Sequence, residues 1–410
     1  MILRWLRLRS ACGYFLAFLS LAFSACLDQS VQIPQAPVET GSPNGCGGKH
    51  DAFVESGSLI AGRADHTATL LTDGRVLLTD GYSIVDRGSQ LLNSTEMYDP
   101  AKGDFQSAAS MGMQRKLAAA VRLPDGRILI SGGYDQLGGV GLGARPAPPL
   151  DSSELYDPST NAVQAGPRML RGRAGHSAVL LDNGKALVGG GLGVAFETLV
   201  GSAAPGNPGV VELFDPDTGQ FSAAGKPNER HPEEEAIKLA DGNVLLYCGG
   251  RTAEIYDPAK GSFAKTGEQP KPLSRCAGSL LSDGRVLIVG TTATPDRIAE
   301  VPQWRVQIYD PRAGTFSWGP NQAVEISEPK SVTLSGDRVL ILGDVRPDYA
   351  NVLTGEIFDG ERNAFSVVGG VHPNRNGFSA TNLSDGNVLI VGGSASTLPY
   401  NVRQSLLFCQ

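Results

Sequence analysis

The chain reads as an all-β protein: a seven-bladed β-propeller of four-stranded antiparallel blades, with the last blade closed by an N-terminal strand. Three observations predict this. A turn followed by an apolar run recurs seven times: DGRVLLTDG from Asp73, DGRILISGG from Asp125, NGKALVGGG from Asn183, DGNVLLYCGG from Asp241, DGRVLIVG from Asp283, GDRVLILG from Gly336 and DGNVLIVGG from Asp385. A second motif alternates with it: EMYDP at Glu96, ELYDP at Glu154, ELFDP at Glu212, EIYDP at Glu254, QIYDP at Gln307 and EIFDG at Glu356. Finally, 52 Gly and 26 Pro leave few stretches long enough for helices.

Each first motif is one hairpin. An apolar run such as HTATLL from His66 or HSAVLL from His176 precedes the turn. Asp-Gly or Asn-Gly between apolar runs is a strong hairpin signal, with a type I′ turn expected at positive φ on both central residues. Each second motif opens another hairpin. Its aromatic is followed seven residues later by an aromatic or apolar partner: Tyr98 by Phe105, Tyr156 by Val163, Phe214 by Phe221, Tyr256 by Phe263, Tyr309 by Phe316 and Phe358 by Phe365. Asp-Pro supplies the turn between them, and its Asp is expected to bond nearby backbone amides. Four short strands about every 50 residues make a propeller blade. The last unit stops at SLLFCQ, where Phe408 takes the place of Tyr98 and no fourth strand follows. Phe53 in AFVESGS precedes the first repeat as Phe105 precedes the second, so this segment is expected to supply the outer strand of blade seven.

The double glycine after the second strand, the tyrosine of the second hairpin and the fourth-strand aromatic resemble the kelch repeat. The resemblance covers about residues 50–410 and implies the propeller fold. The chain departs from it by placing Phe or Val where kelch repeats usually carry Trp.

Ahead of the propeller, assigned to 49–410, residues 1–25 carry Arg4, Arg7 and Arg9, then a short apolar run over 11–23, too short to span a membrane. Ser24, Ala25 and Cys26 follow, which resembles a bacterial lipoprotein signal, with Phe23 in place of the usual Leu. The resemblance implies lipid attachment at Cys26, and Leu27 after it implies the outer membrane. The alternative is an ordinary secretory signal, with a periplasmic or secreted product. Residues 26–48, polar and rich in Pro and Gly, are expected to be a flexible tether.

Cys12 lies in the signal, and four cysteines remain besides Cys26. In an oxidising compartment, Cys46, Cys248, Cys276 and Cys409 allow three pairings. Register favours Cys46 with Cys409, at one end of the same strand pair. Cys248 ends the second strand of blade four and Cys276 begins the first strand of blade five. They are expected to form either a second bond or two buried thiols.

A net charge of −7 argues against a nucleic-acid partner. No GxSxG, HExxH, P-loop or CxxC motif occurs, so neither a catalytic motif nor a metal or cofactor is expected. Galactose oxidase uses this scaffold with a copper site of two Tyr and two His, one Tyr crosslinked to Cys. The five histidines here, His50, His66, His176, His231 and His372, show no Tyr-His dipeptide. The expected function is a lipid-anchored binding or scaffolding module for a protein or glycan at its loop face. The alternative is a carbohydrate-active or oxidoreductase-type enzyme with a dispersed site.

Eleven residues before each turn glycine stand Arg63, Arg115, Arg173, His231 and Arg375; three further on are His66, His176, Glu234 and Cys276. At the start of the innermost strands these should gather at one mouth of the central channel. Two readings follow. The arginines pair within their blades with the motif glutamates, or they form a cationic ring for a carboxylate-bearing partner.

Overall fold

The computed structural model describes residues 45–85, 88–137, 148–191, 210–229, 235–292, 303–345, 352–371, 375–395 and 402–410, all within the compact unit Gln35–Gln410. The proposed signal, Cys26, His231, Glu234 and His372 lie outside these residues.

Seven four-stranded antiparallel sheets follow one another. In blade one the order from the inside outward is Thr67–Leu70, Val76–Thr79, Thr95–Asp99 and Asp104–Ala108. Blades two to six repeat that order in sequence. Each innermost strand packs on its counterparts in the two adjacent blades, and Thr67–Leu70 meets Ser379–Asn382 of blade seven, which closes the ring.

Strands hold because their faces are shared between blades. The second strand of each blade is buried on both sides, as in Val76–Thr79, Ile128–Ser131 and Val388–Val391. Its alternate side chains fill different inter-blade cores. Leu78 and Val76 pack with Leu389, Val391 and Leu407 of blade seven, whereas Leu77 packs with Ile128 and Ile130 of blade two. The aromatics predicted seven residues apart lie directly opposite one another: Tyr98 with Phe105, Phe214 with Phe221, Tyr256 with Phe263, Tyr309 with Phe316 and Phe358 with Phe365. Their ring centroids are 4.7–5.3 Å apart, a favourable tilted contact.

Blade seven takes Ala52–Ser58 as its outer strand, antiparallel to Gln404–Cys409, with Phe53 opposite Phe408. The Cys46–Cys409 disulfide fastens the end of this pair, and Cys248–Cys276 joins blades four and five.

Two features depart from the sequence expectation. The first-hairpin turns place only their glycine at positive φ, Gly74 at 86° and Gly126 at 88°. Asp73 and Asp125 stay right-handed because each carboxylate accepts the amide two residues on, from Arg75 and Arg127. Only blade six puts two successive turn residues, Gly336 and Asp337, at positive φ. The second is an extra hairpin, Tyr82–Val85 with Gly88–Leu91, inserted between the second and third strands of blade one.

Candidate functional site at the channel mouth

The repeated arginines are interior residues. Arg63, Arg115 and Arg375 are at most 1% exposed and Arg173 is 5% exposed. Arg63 donates to Glu96 at 2.9 Å and to the carbonyls of Asp80 and Ser94. Arg115 donates likewise to Glu154, Gly132 and Ser152, and Arg173 to Glu212, Gly190 and Val210. Each glutamate also accepts two backbone amides of the loop leading to the innermost strand, for instance Ile60 and Ala61 on Glu96. The motif glutamate therefore ties together its own third strand, the entering loop and the buried guanidinium.

Blades five to seven vary this device. Blade five has Leu273 and Gln307 in the two positions, and Gln307 donates to the Lys271 carbonyl at 2.7 Å. Blade six keeps Glu356 but has Ile326 in the arginine position. Burial with no guanidinium there pushes the Glu356 carboxyl up to about 7, against the pull of the Ala323 and Val324 amides. Blade seven keeps Arg375 opposite Leu406. Its guanidinium donates to the Gln404 carbonyl at 2.5 Å, and burial lowers it to about 9.

The second predicted set belongs to the joints between blades. His66 and His176 are buried, and their rings lie over Gly392 and Gly132 of the preceding blades. A Cβ on either glycine would come within 2.7 Å of the histidine Cε1, so only glycine fits beneath the ring. Each Nε2 meets a serine hydroxyl, Ser379 at 2.9 Å and Ser131 at 3.0 Å. Burial drives the His66 imidazole down to about 3, helped by the charges of Arg63 and Lys330, and lowers His176 as well. Two other joints replace the pair as a unit. Between blades one and two, Asp80 stands for the glycine and Ala118 for the histidine; the Asp80 carboxylate accepts the Ala118 amide at 3.2 Å and the Thr67 amide at 2.8 Å. Between blades four and five the pair is Cys248 and Cys276, and the contact becomes covalent.

What does open at the channel is the position between the two predicted sets, nine residues before the turn glycine. Asp65, Leu117, Gly175, Arg275, Glu328 and Gly377 hold it, all at φ between 49° and 68°. This left-handed twist aims backbone from one blade to the next: the Asp65 amide bonds the Gly377 carbonyl, the Leu117 amide the Asp65 carbonyl and the Gly175 amide the Leu117 carbonyl, at 2.8–3.0 Å. Gly377 is held to glycine, since a Cβ there would come within 2.8 Å of the Asp65 amide nitrogen, but Asp65, Leu117, Arg275 and Glu328 carry larger side chains at this position, with charge of both signs. Arg275 pairs with Glu328 at 3.6 Å, and Lys116 with Asp65 at 3.8 Å while lying 5.1 Å from the centre of the Tyr82 ring.

Asp65, Leu117, Glu328, Lys330 and Asn376 help to line a cavity of about 160 Å³ between blades one, two, six and seven. Lys330, on the innermost strand of blade six, is exposed and makes no ion pair with a described residue. Its charge acts on Asp65 and His66 of blade one and on Glu235 of blade four. Burial raises the carboxyls of Asp65 and Glu235, and Lys330 pulls both back. The two predicted sets thus bracket the residues that face the opening; a scan of the intervening position for charge in otherwise matched repeats would have found Asp65, Arg275 and Glu328.

No protein-family model matches the chain, and no curated protein does. Solved structures match. One is a fungal alcohol oxidase of the AA5 family in complex with copper, at 15% identity and a TM-score of 0.65, covering 88% of this chain and 76% of that one. Another is YjhT, at 16% identity and a TM-score of 0.53, covering 76% of this chain and 98% of its own. The fold they share with this chain is a β-propeller. The described residues do not fit the oxidase's copper. Among them no three His, Cys, Asp or Glu side chains are grouped to hold a metal. His66 and His176 are committed to serines at separate joints, and the His50 Nδ1 meets the Gln410 carbonyl at 2.8 Å.

Proposed function

We propose that the chain is an exported, lipid-anchored binding module of the kelch type, held at the outer membrane through Cys26, whose ligand sits at the channel mouth. Lys330 carries the reading. An exposed amine beside a small cavity, with carboxylates around it and no ion pair among the described residues, is suited to an anionic group on an incoming protein or glycan. Asp65 and Glu328 then select against partners that are anionic throughout. The two disulfides support an oxidising compartment.

Two measurements test it. Cys26→Ala should move the protein out of the membrane fraction, and a wild type that fractionates as wholly soluble would sink the anchoring. Immobilised wild type and Lys330→Met should be compared for capture of proteins and glycans from the native surface. The reading requires a retained component that the variant loses at unchanged melting temperature. Identical retention by both would remove Lys330, and with it the channel mouth, from the argument.

A further inference from the structure

The described residues include two tryptophans, Trp304 and Trp318, and both stand at one recess at the outer side of blade five. Nothing in the repeat calls for them. The positions of Trp318 in other blades hold Ser107, Ala165, Ala223, Lys265 and Val367, and those of Trp304 hold Asn93, Asp151, Arg251 and Leu353, among others. Trp318 is 48% exposed on the blade's edge strand, where a large apolar side chain gains nothing from folding. The recess measures about 220 Å³, and Arg305, Asn321 and Gln322 share its wall with the indoles. The Gln322 amide is fixed by Glu356, its Nε2 donating at 3.3 Å, while its Oε1 is buried with no hydrogen-bond partner among the described residues. A buried acceptor left open is costly and calls for a donor.

We propose that this recess binds one pyranose unit of a glycan. A pyranose has C–H faces that lie on indole rings and a rim of hydroxyls that both donate and accept. The recess offers the complement: indole surface from Trp304 and Trp318, amide side chains at Asn321 and Gln322 and the guanidinium of Arg305. Its volume of about 220 Å³ is on the scale of a single sugar ring. The site lies on blade five's second hairpin and the loop towards blade six, apart from the channel mouth, so it stands whether or not Lys330 binds anything.

Tryptophan emission of the full-length protein in detergent, carrying Trp5→Phe, reports on Trp304 and Trp318 alone. It is titrated with methyl β-glucoside, methyl β-galactoside, methyl α-mannoside, N-acetylglucosamine and glucuronic acid. At least one should shift the emission saturably. Trp318→Ala should weaken that sugar about tenfold or more at unchanged melting temperature. Gln322→Leu should weaken it too, which loss of aromatic surface alone would not explain, and Lys330→Met should leave it intact. The proposal fails if no sugar gives a saturable change, if binding survives Trp318→Ala, or if only a proline-rich peptide saturates the signal.

Discussion

A guanidinium enclosed beside a carboxylate is stable only as a pair. Arg115 and Glu154, 2.7 Å apart and at most 6% exposed, therefore test what the repeated arginine does. Arg115→Met leaves Glu154 buried without its guanidinium, and urea denaturation should show a loss of about 3–5 kcal/mol. A loss under 1 kcal/mol would mean that the pair is incidental. Blade six shows the same carboxylate without its arginine. Glu356 titrates near 7 in the fold against 4.5 as a free side chain, so the folded protein holds a proton between those values that the unfolded chain has released. Its contribution is greatest at low pH and is lost as the pH rises from 4.5 to 7. Asp80, raised to about 7 by burial, acts in the same direction. His66 opposes both: lowered to about 3, it withdraws stability as the pH falls below 6.5. Glu356→Gln removes one side of this balance. Its melting temperature relative to wild type should therefore climb between pH 5 and pH 8, and a difference independent of pH would contradict the assignment. The arginine ladder was legible from spacing alone. Pairing with the motif glutamates was one of the two readings that spacing allowed, and two-sided burial decides between them, because spacing places a residue along a strand and not where its long side chain ends.

At the scale of elements, the joints between blades are interchangeable solutions to one packing problem: glycine under histidine, aspartate over alanine, or a disulfide. Each changes both members together, which makes a double-mutant cycle decisive. Asp80→Gly alone removes the acceptor for the Ala118 and Thr67 amides. Ala118→His alone drives a ring into Asp80. Together they recreate the His176–Gly132 joint, with Thr79 standing where Ser131 does. The double variant should be more stable than the sum of the single changes predicts by about 1–3 kcal/mol, a coupling range seen for residues in direct contact. Additive effects would show that the joint is not a unit. The glycine–histidine and aspartate–alanine pairings were hidden in the sequence because their members lie dozens of residues apart. They stand out only when blades are aligned in a ring, each with its successor.

For the whole molecule, closure rests on one strand and one bond. The Cys46–Cys409 bond spans 363 residues, and chain entropy alone gives it about 6 kcal/mol, a ceiling that native strain and residual denatured structure reduce. Ala52–Ser58 contributes more, since it covers the edge of Gln404–Cys409 and places Phe53 and Val54 in two different inter-blade cores. Deleting residues 49–58 should lower the melting temperature further than Cys46→Ser, as read by calorimetry under oxidising conditions. An equal loss would assign closure to the disulfide. Blade count, closure and the Cys46–Cys409 pairing could be read from the chain because repetition supplies its own register, whereas Cys248 and Cys276 were placed near each other in neighbouring blades with a bond or two free thiols both open. The tryptophan recess could not, since it lies where the repeat is broken; the charges of the mouth, Asp65, Arg275 and Glu328, stood at one repeat position between the two sets that spacing had singled out.

The order in which the four cysteines are synthesised gives closure a further consequence. Cys248 and Cys276 are 28 residues apart and can bond as soon as blade five has emerged. Cys46 is made first, yet must wait for Cys409, almost the last residue of the chain, while two other thiols pass within reach. In an oxidising compartment, biogenesis would therefore run through a kinetic contest between native and premature bonds. A host whose disulfide isomerase is impaired should accumulate mispaired chains joined through Cys46.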